Sequence, residues 1–143
     1  MAGAPVEALK RVPLFIDLDP GEIEQIARLF KERHFSQGET VTREGSGGAA
    51  FFLIESGQAT VSVAGAERAM LKQGDHFGEI ALIDEGPRSA TIVASTELVC
   101  YGLTFWDFRP LVQENGAIGW KLLQVMVQKL RAAEQGYLPD LTA

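Results

Sequence analysis

Between Phe77 and Thr91 the chain sets several kinds of chemistry side by side. Gly78 has no side chain, so a ligand can approach its backbone closely. The residues after it, Glu79-Ile80-Ala81-Leu82, can form a short helix, whose first backbone N–H groups have no partner within the helix. Such a start attracts anions, phosphate above all. Glu79 brings two acceptor oxygens, which suit hydroxyl donors. Arg88 brings a planar fork of donors, which suits a pair of phosphate oxygens. Ser89 adds a hydroxyl beside it. A ligand with a ribose-like diol edge and one phosphate would satisfy all of these groups.

In order and spacing, Phe77-Gly78-Glu79-Ile80-Ala81-Leu82, a short acidic loop, then Pro87-Arg88-Ser89-Ala90-Thr91 resembles the phosphate-binding cassette of cyclic nucleotide-binding domains. That family includes catabolite activator protein and the regulatory subunits of protein kinase A. The resemblance covers about residues 10–135.

Composition fits one domain. The chain has 143 residues, 46% of them apolar and 22% charged, enough for a core and against disorder. Its formal net charge of −6 argues against nucleic acid as a partner, since such binding depends on Lys and Arg neutralising phosphates. Cys100 is the single cysteine and sits in the apolar run Leu98-Val99-Cys100-Tyr101, which predicts a core side chain. No run approaches the roughly 18 apolar residues of a membrane helix, and the N-terminus lacks a secretory core. A cytoplasmic protein without a membrane partner is expected. His34 and His76 are the only histidines, too few and too scattered for the metal cluster of a β-roll enzyme. No nucleophile–base arrangement is visible, so neither catalytic residues nor a metal site are predicted.

The elements that must position the cassette read as three regions, helical over 6–33, β over 35–104 and helical again over 105–135. Val6 to Val12 is a short helix stopped by Pro13. Asp19-Pro20-Gly21-Glu22 has the residues of a capping box, followed by Ile23, Ile26, Ala27 and Phe30 at helical spacing. From Phe35 onward, short apolar runs alternate with glycines, as in Ala50 to Glu55, ended by Ser56-Gly57, and Ala59 to Val63 with period two. His76 reads as an exposed strand residue beside the cassette. Thr104 to Asp107 opens a helix to about Asn115, and a second runs from Ala117 to about Gln135 with a wide apolar stripe.

The resemblance implies more. The fold is α+β, a jelly-roll-like antiparallel β-roll flanked by N-terminal helices and two C-terminal helices, the last a lid. Arg88 pairs with the exocyclic phosphate oxygens and Glu79 accepts the ribose 2′-hydroxyl; the competing role for Glu79 is an ion pair with Arg88. Backbone amides of Gly78, Glu79, Ile80 and Ala81, with Ser89 and Ala90, complete the phosphate shell. Phe77, Val61 and Leu71 line the apolar side. Lys129 and Ala133 of the last helix are the candidates to meet the base, with Leu130 and Arg131 beside them. The ligand is cAMP, favoured over cGMP, and no further cofactor is implied. Related activators carry a helix-turn-helix after the last helix; residues 138–143 are too few for one, so the expectation is either that a second protein chain is the output or that the chain is a piece of a larger protein, and a homodimer could form through the C-terminal helix. The alternative is a protein-interaction module that keeps the fold without responding to nucleotide.

Overall fold

The computed structural model describes residues 3–47, 50–84 and 86–137. Residues 1–2, 48–49, 85 and 138–143 lie outside them. Helix α1 spans Val6–Leu9 and buries Leu9. Pro13 then opens a 3-10 turn, Pro13–Phe15, that buries Leu14 and Phe15. Helix α2, Pro20–Ala27, starts as its residues dictate. The Glu22 N–H donates to Asp19 Oδ1 at 2.9 Å, and the Asp19 N–H donates to Glu22 Oε1 at 3.0 Å. This reciprocal pair satisfies two donors that the helix leaves unpaired.

The helical reading to residue 33 is corrected. Helix α2 ends at Ala27, and Lys31–Phe35 is strand β1. Its Lys-Glu-Arg-His run is exposed and only Phe35 is buried, so period two left no apolar mark. Pairing with β8 in register Lys31↔Gly102 to Phe35↔Leu98 supplies what local pattern does not. The remaining strands are β2 (Thr40–Thr42), β3 (Ala50–Ser56), β4 (Ala59–Val63), β5 (Ala66–Leu71), β6 (His76–Phe77), β7 (Thr91–Ala94) and β8 (Leu98–Thr104). They form two four-stranded sheets, β1-β8-β3-β6 and β2-β7-β4-β5, and the described pairings are antiparallel.

Strand β3 is apolar on both faces because it serves two cores. Phe51 and Leu53 point to the helices, where they pack with Leu9, Phe15, Ile26, Phe30, Phe108 and Ile118. Phe52 and Ile54 point between the sheets, with Phe35, Phe77, Ile92, Leu98 and Cys100. Alternation of side chains across a strand produces this division. Strand β8 divides the same way, Leu98 and Cys100 inward and Leu103 toward the helices.

Thr104 caps helix α3 (Phe105–Glu114), its Oγ1 accepting from the Asp107 N–H at 3.1 Å. Asn115 breaks the chain, and helix α4 runs over Gly116–Tyr137. Ile118, Leu122 and Val125 are its buried residues. Two polar contacts tie this joint to α2. The Lys121 ammonium donates to Glu22 Oε1 at 2.7 Å, and Asn115 Nδ2 donates to Gln25 Oε1 at 3.1 Å. The hydrogen bond to Glu22 raises the Lys121 pKa above its ordinary value, as do the carboxylates around it.

Candidate functional site

Backbone hydrogen bonds tie the second arm of the cassette, Pro87 to Thr91, to the loop before β3. The Arg88 N–H donates to the Ser46 carbonyl, and the Gly45 N–H donates to the Arg88 carbonyl, both at 2.9 Å. Gly47 and Pro87 form an isolated bridge beside them. Within the loop, Asp84 Oδ1 accepts from the Gly86 N–H at 3.0 Å, a turn made by the Asp side chain.

The Arg88 side chain folds back over Gly78 toward the start of β3. Its Nη2 donates to the Ala50 carbonyl at 2.5 Å. A Cβ on Gly78 would lie 2.5 Å from Arg88 Nη1 and 2.8 Å from the Ala50 oxygen. The Gly78 φ is +82°, a conformation that side chains disfavour. Gly78 is therefore required by the arginine as well as being open to a ligand. Arg88 Nε is buried and has no hydrogen-bond partner among the described residues. Burial lowers the Arg88 pKa, because the charged form loses water. A guanidinium nevertheless keeps its charge in proteins. The result is a half-buried cation with donor capacity to spare.

Glu79 opens the 3-10 helix Glu79–Leu82. Its carboxylate faces His76 rather than Arg88: His76 Nε2 and Glu79 Oε2 are 3.7 Å apart, and each side chain is 24% exposed. His76 is a strand residue, in β6, but half-buried, so the expectation that it is exposed is corrected. Its ring meets Phe51 edge-on at 5.8 Å, because Phe51 is on the helix-facing side of β3, above the cassette. Sequence reasoning set His76 aside; the His-x-x-Glu spacing was the signal that could have paired the two. The Ala50 carbonyl was also missed, and a backbone acceptor leaves no trace in residue type.

The other expected residues are distributed as follows. Ala81 is buried, and its N–H donates to the Gly78 carbonyl at 3.0 Å, so this amide is engaged within the turn. The Ile80 backbone lies in the same 3-10 helix. Ser89 is exposed and Ala90 half-buried, just before β7. Phe77 stacks on Phe52 with ring centres 5.2 Å apart. Val61 and Leu71 are half-buried and pack on the same cluster between the sheets. On the helix side, a groove of about 1040 Å³ runs between the cassette and helices α3 and α4. Glu79 and Lys129 both line it, with Leu82, Phe108, Trp120 and Met126 as apolar walls. Arg88 is not among its lining residues. The structure thus brings Gly78 with Arg88, while Glu79 and Lys129 share the lining of the groove. Ala133 is exposed, a turn further along α4.

Among the described residues, no group of three or more His, Cys, Asp or Glu side chains could hold a metal ion. No described helix is long and apolar enough to cross a membrane.

Comparison with known proteins places the chain in a family. Residues 32–115 match the family model described as the cyclic nucleotide-binding domain. A cAMP-dependent protein kinase regulatory subunit of Yarrowia lipolytica is 44% identical over 92 residues, 63% of this chain and 24% of that protein. The cyclic AMP receptor protein of Thermus thermophilus is 32% identical over 131 residues, 88% of this chain and 61% of that one. The chain therefore spans about a quarter of the first relative and under two thirds of the second. Among solved structures, the N-terminal domain of a transcriptional regulator from Streptomyces coelicolor A3(2) superposes with a TM-score of 0.83 at 26% identity, covering 92% of this chain and 95% of that one. With its β-roll, flanking helices and cassette, this chain belongs to the cyclic nucleotide-binding domain family.

Proposed function

We propose that the chain is a cyclic-nucleotide sensor without catalytic activity, binding a 3′,5′-cyclic purine nucleotide, cAMP in preference to cGMP. The observation that carries this reading is Arg88. Its guanidinium is half-buried over Gly78 with Nε unpartnered among the described residues, and a buried donor in that state calls for an acceptor. A singly charged cyclic phosphate between Arg88, Ser89 and the amides from Gly78 to Ile80 supplies one. Glu79 then takes the 2′-hydroxyl, and Val61 and Leu71 border the apolar side. Lys129 reaches the base region along α4, with Ala133 beyond it. Preference for cAMP draws on the names of the two relatives; nothing in the site demands guanine. Titration calorimetry with cAMP and cGMP tests the reading. Heat and saturation with cAMP at lower concentration than cGMP are expected, and absence of heat with both at millimolar concentration overturns it.

Binding would order the cassette and close α4 on the base, a shift limited by the ligand's differential affinity for the two states. The output is a second protein chain. A second copy is one such partner: Trp120, Leu123, Val127 and Leu130 are exposed on α4 at spacings of three and four, the pattern of a coiled-coil seam. A nucleotide-unresponsive interaction module is the competing reading, and the same calorimetry separates it.

A further inference from the structure

We propose that His76 is a positioning residue for Glu79 in ribose recognition at this site. The inference rests on reading Glu79 as the acceptor of the ribose hydroxyl. Strand β6 places His76 opposite Leu53 of β3, with its ring edge against Phe51. There His76 Nε2 is withdrawn from solvent and has no hydrogen-bond partner among the described residues. Polar atoms in that position are ordinarily satisfied. The carboxylate of Glu79 stands 3.7 Å away, just beyond hydrogen-bond range, so a small rotation of Glu79 completes the contact.

The other charged groups near the ring are Arg11, just after α1, and Asp75 of the turn before β6, which border the same small cavity of about 280 Å³. The Asp75 carboxylate is already engaged, accepting from the Lys72 N–H at 2.8 Å. The β3 neighbours Phe51 and Leu53 carry no charge. Glu79 is thus the carboxylate that faces Nε2.

A ring proton on His76 Nε2 can be donated to Glu79 Oε2. That contact fixes the carboxylate and leaves Oε1 for the ribose hydroxyl. The preference for ribose over 2′-deoxyribose therefore depends on the His76 donor.

The test is titration of the parent, His76→Gln and His76→Phe with cAMP and with its 2′-deoxy analogue. The phenylalanine variant keeps the ring packing against Phe51 but has no donor, whereas the glutamine amide restores one. The ratio of the two affinities should fall about fivefold in His76→Phe, the scale of one hydrogen bond, and stay nearer the parent value in His76→Gln. A ratio in His76→Phe equal to that of the parent overturns the role of His76 alone, as does an equal loss in both variants. If the parent binds neither nucleotide, or Glu79→Ala leaves the ratio unchanged, the assignment of Glu79 falls and that of His76 with it.

Discussion

Arg88→Ala removes the charge at the site and also the donor to the Ala50 carbonyl. On the proposed function it should weaken cyclic-nucleotide binding at least about a hundredfold, the loss of roughly 3 kcal/mol for one partner of a buried charged pair. Arg88→Lys should weaken it too, because an ammonium cannot offer the fork. Either variant binding like the parent in titration would refute the phosphate role. Gly78→Ala should lower binding and thermal stability together. Its Cβ meets Arg88 Nη1 at 2.5 Å, and the φ of +82° costs a side chain roughly 1–2 kcal/mol. Cys100 gives a check independent of ligand. Burial pushes its thiol up to about 12 from 9.0, with Arg33 opposing slightly, so the folded state keeps it neutral. That preference is intact below pH 9.0 and is lost as pH rises toward about 12, because the unfolded thiol ionises first. Thiol reagents should label it slowly at pH 8 and rapidly once denaturant is added. At this scale the sequence was most readable where residue type implies chemistry: Arg88, Glu79 and Gly78 could be picked out before any coordinates. The partner of Arg88 is a backbone carbonyl and that of Glu79 a histidine brought in by strand pairing, so neither was foreseen.

Among the elements, β3 bears the most. Phe51 is fully buried and meets Phe15, Phe30 and His76. Phe51→Ala should cost about 3–5 kcal/mol, read by chemical denaturation, since both the helical core and the support of His76 lose their filling. The capping boxes and glycine turns made α2, α3 and most strand ends visible from residue order alone. Strand β1 escaped because its side chains are mostly exposed, and its identity comes from its pairing with β8. In α4, the buried residues stop at Val125, while residues 127–135 are exposed. Truncation after Gln128 should therefore leave a folded domain of near-parent stability but weaken nucleotide binding. Hydrogen exchange over residues 129–135 should slow on addition of cAMP; equal exchange with and without it would make this end of the helix a bystander.

At the scale of the whole molecule, β3 and β8 turn one face to the helices and the other to the second sheet, so the roll and the helices are not independent bodies. That arrangement was legible as a fold class from the glycine rhythm and the cassette resemblance; the division of one apolar strand between two cores was not, since an unbroken apolar run carries no period. The exposed α4 seam predicts self-association: sedimentation should show a dimer for the parent and a monomer for Leu123→Glu with Leu130→Glu, with the domain still folded. Helix α4 also acts on distance. Its 22 residues make a rod of about 33 Å at 1.5 Å per residue, fixed near one end by Lys121 and by the contact of Asn115 with Gln25. A pivot of about 10° at that fixed end would carry the far tip about 6 Å, roughly the pitch of one helical turn. A movement of that size is enough to exchange one row of side chains for the next on whatever surface the tip rests against, so the domain could report a small rearrangement at its core as a change of register far from it.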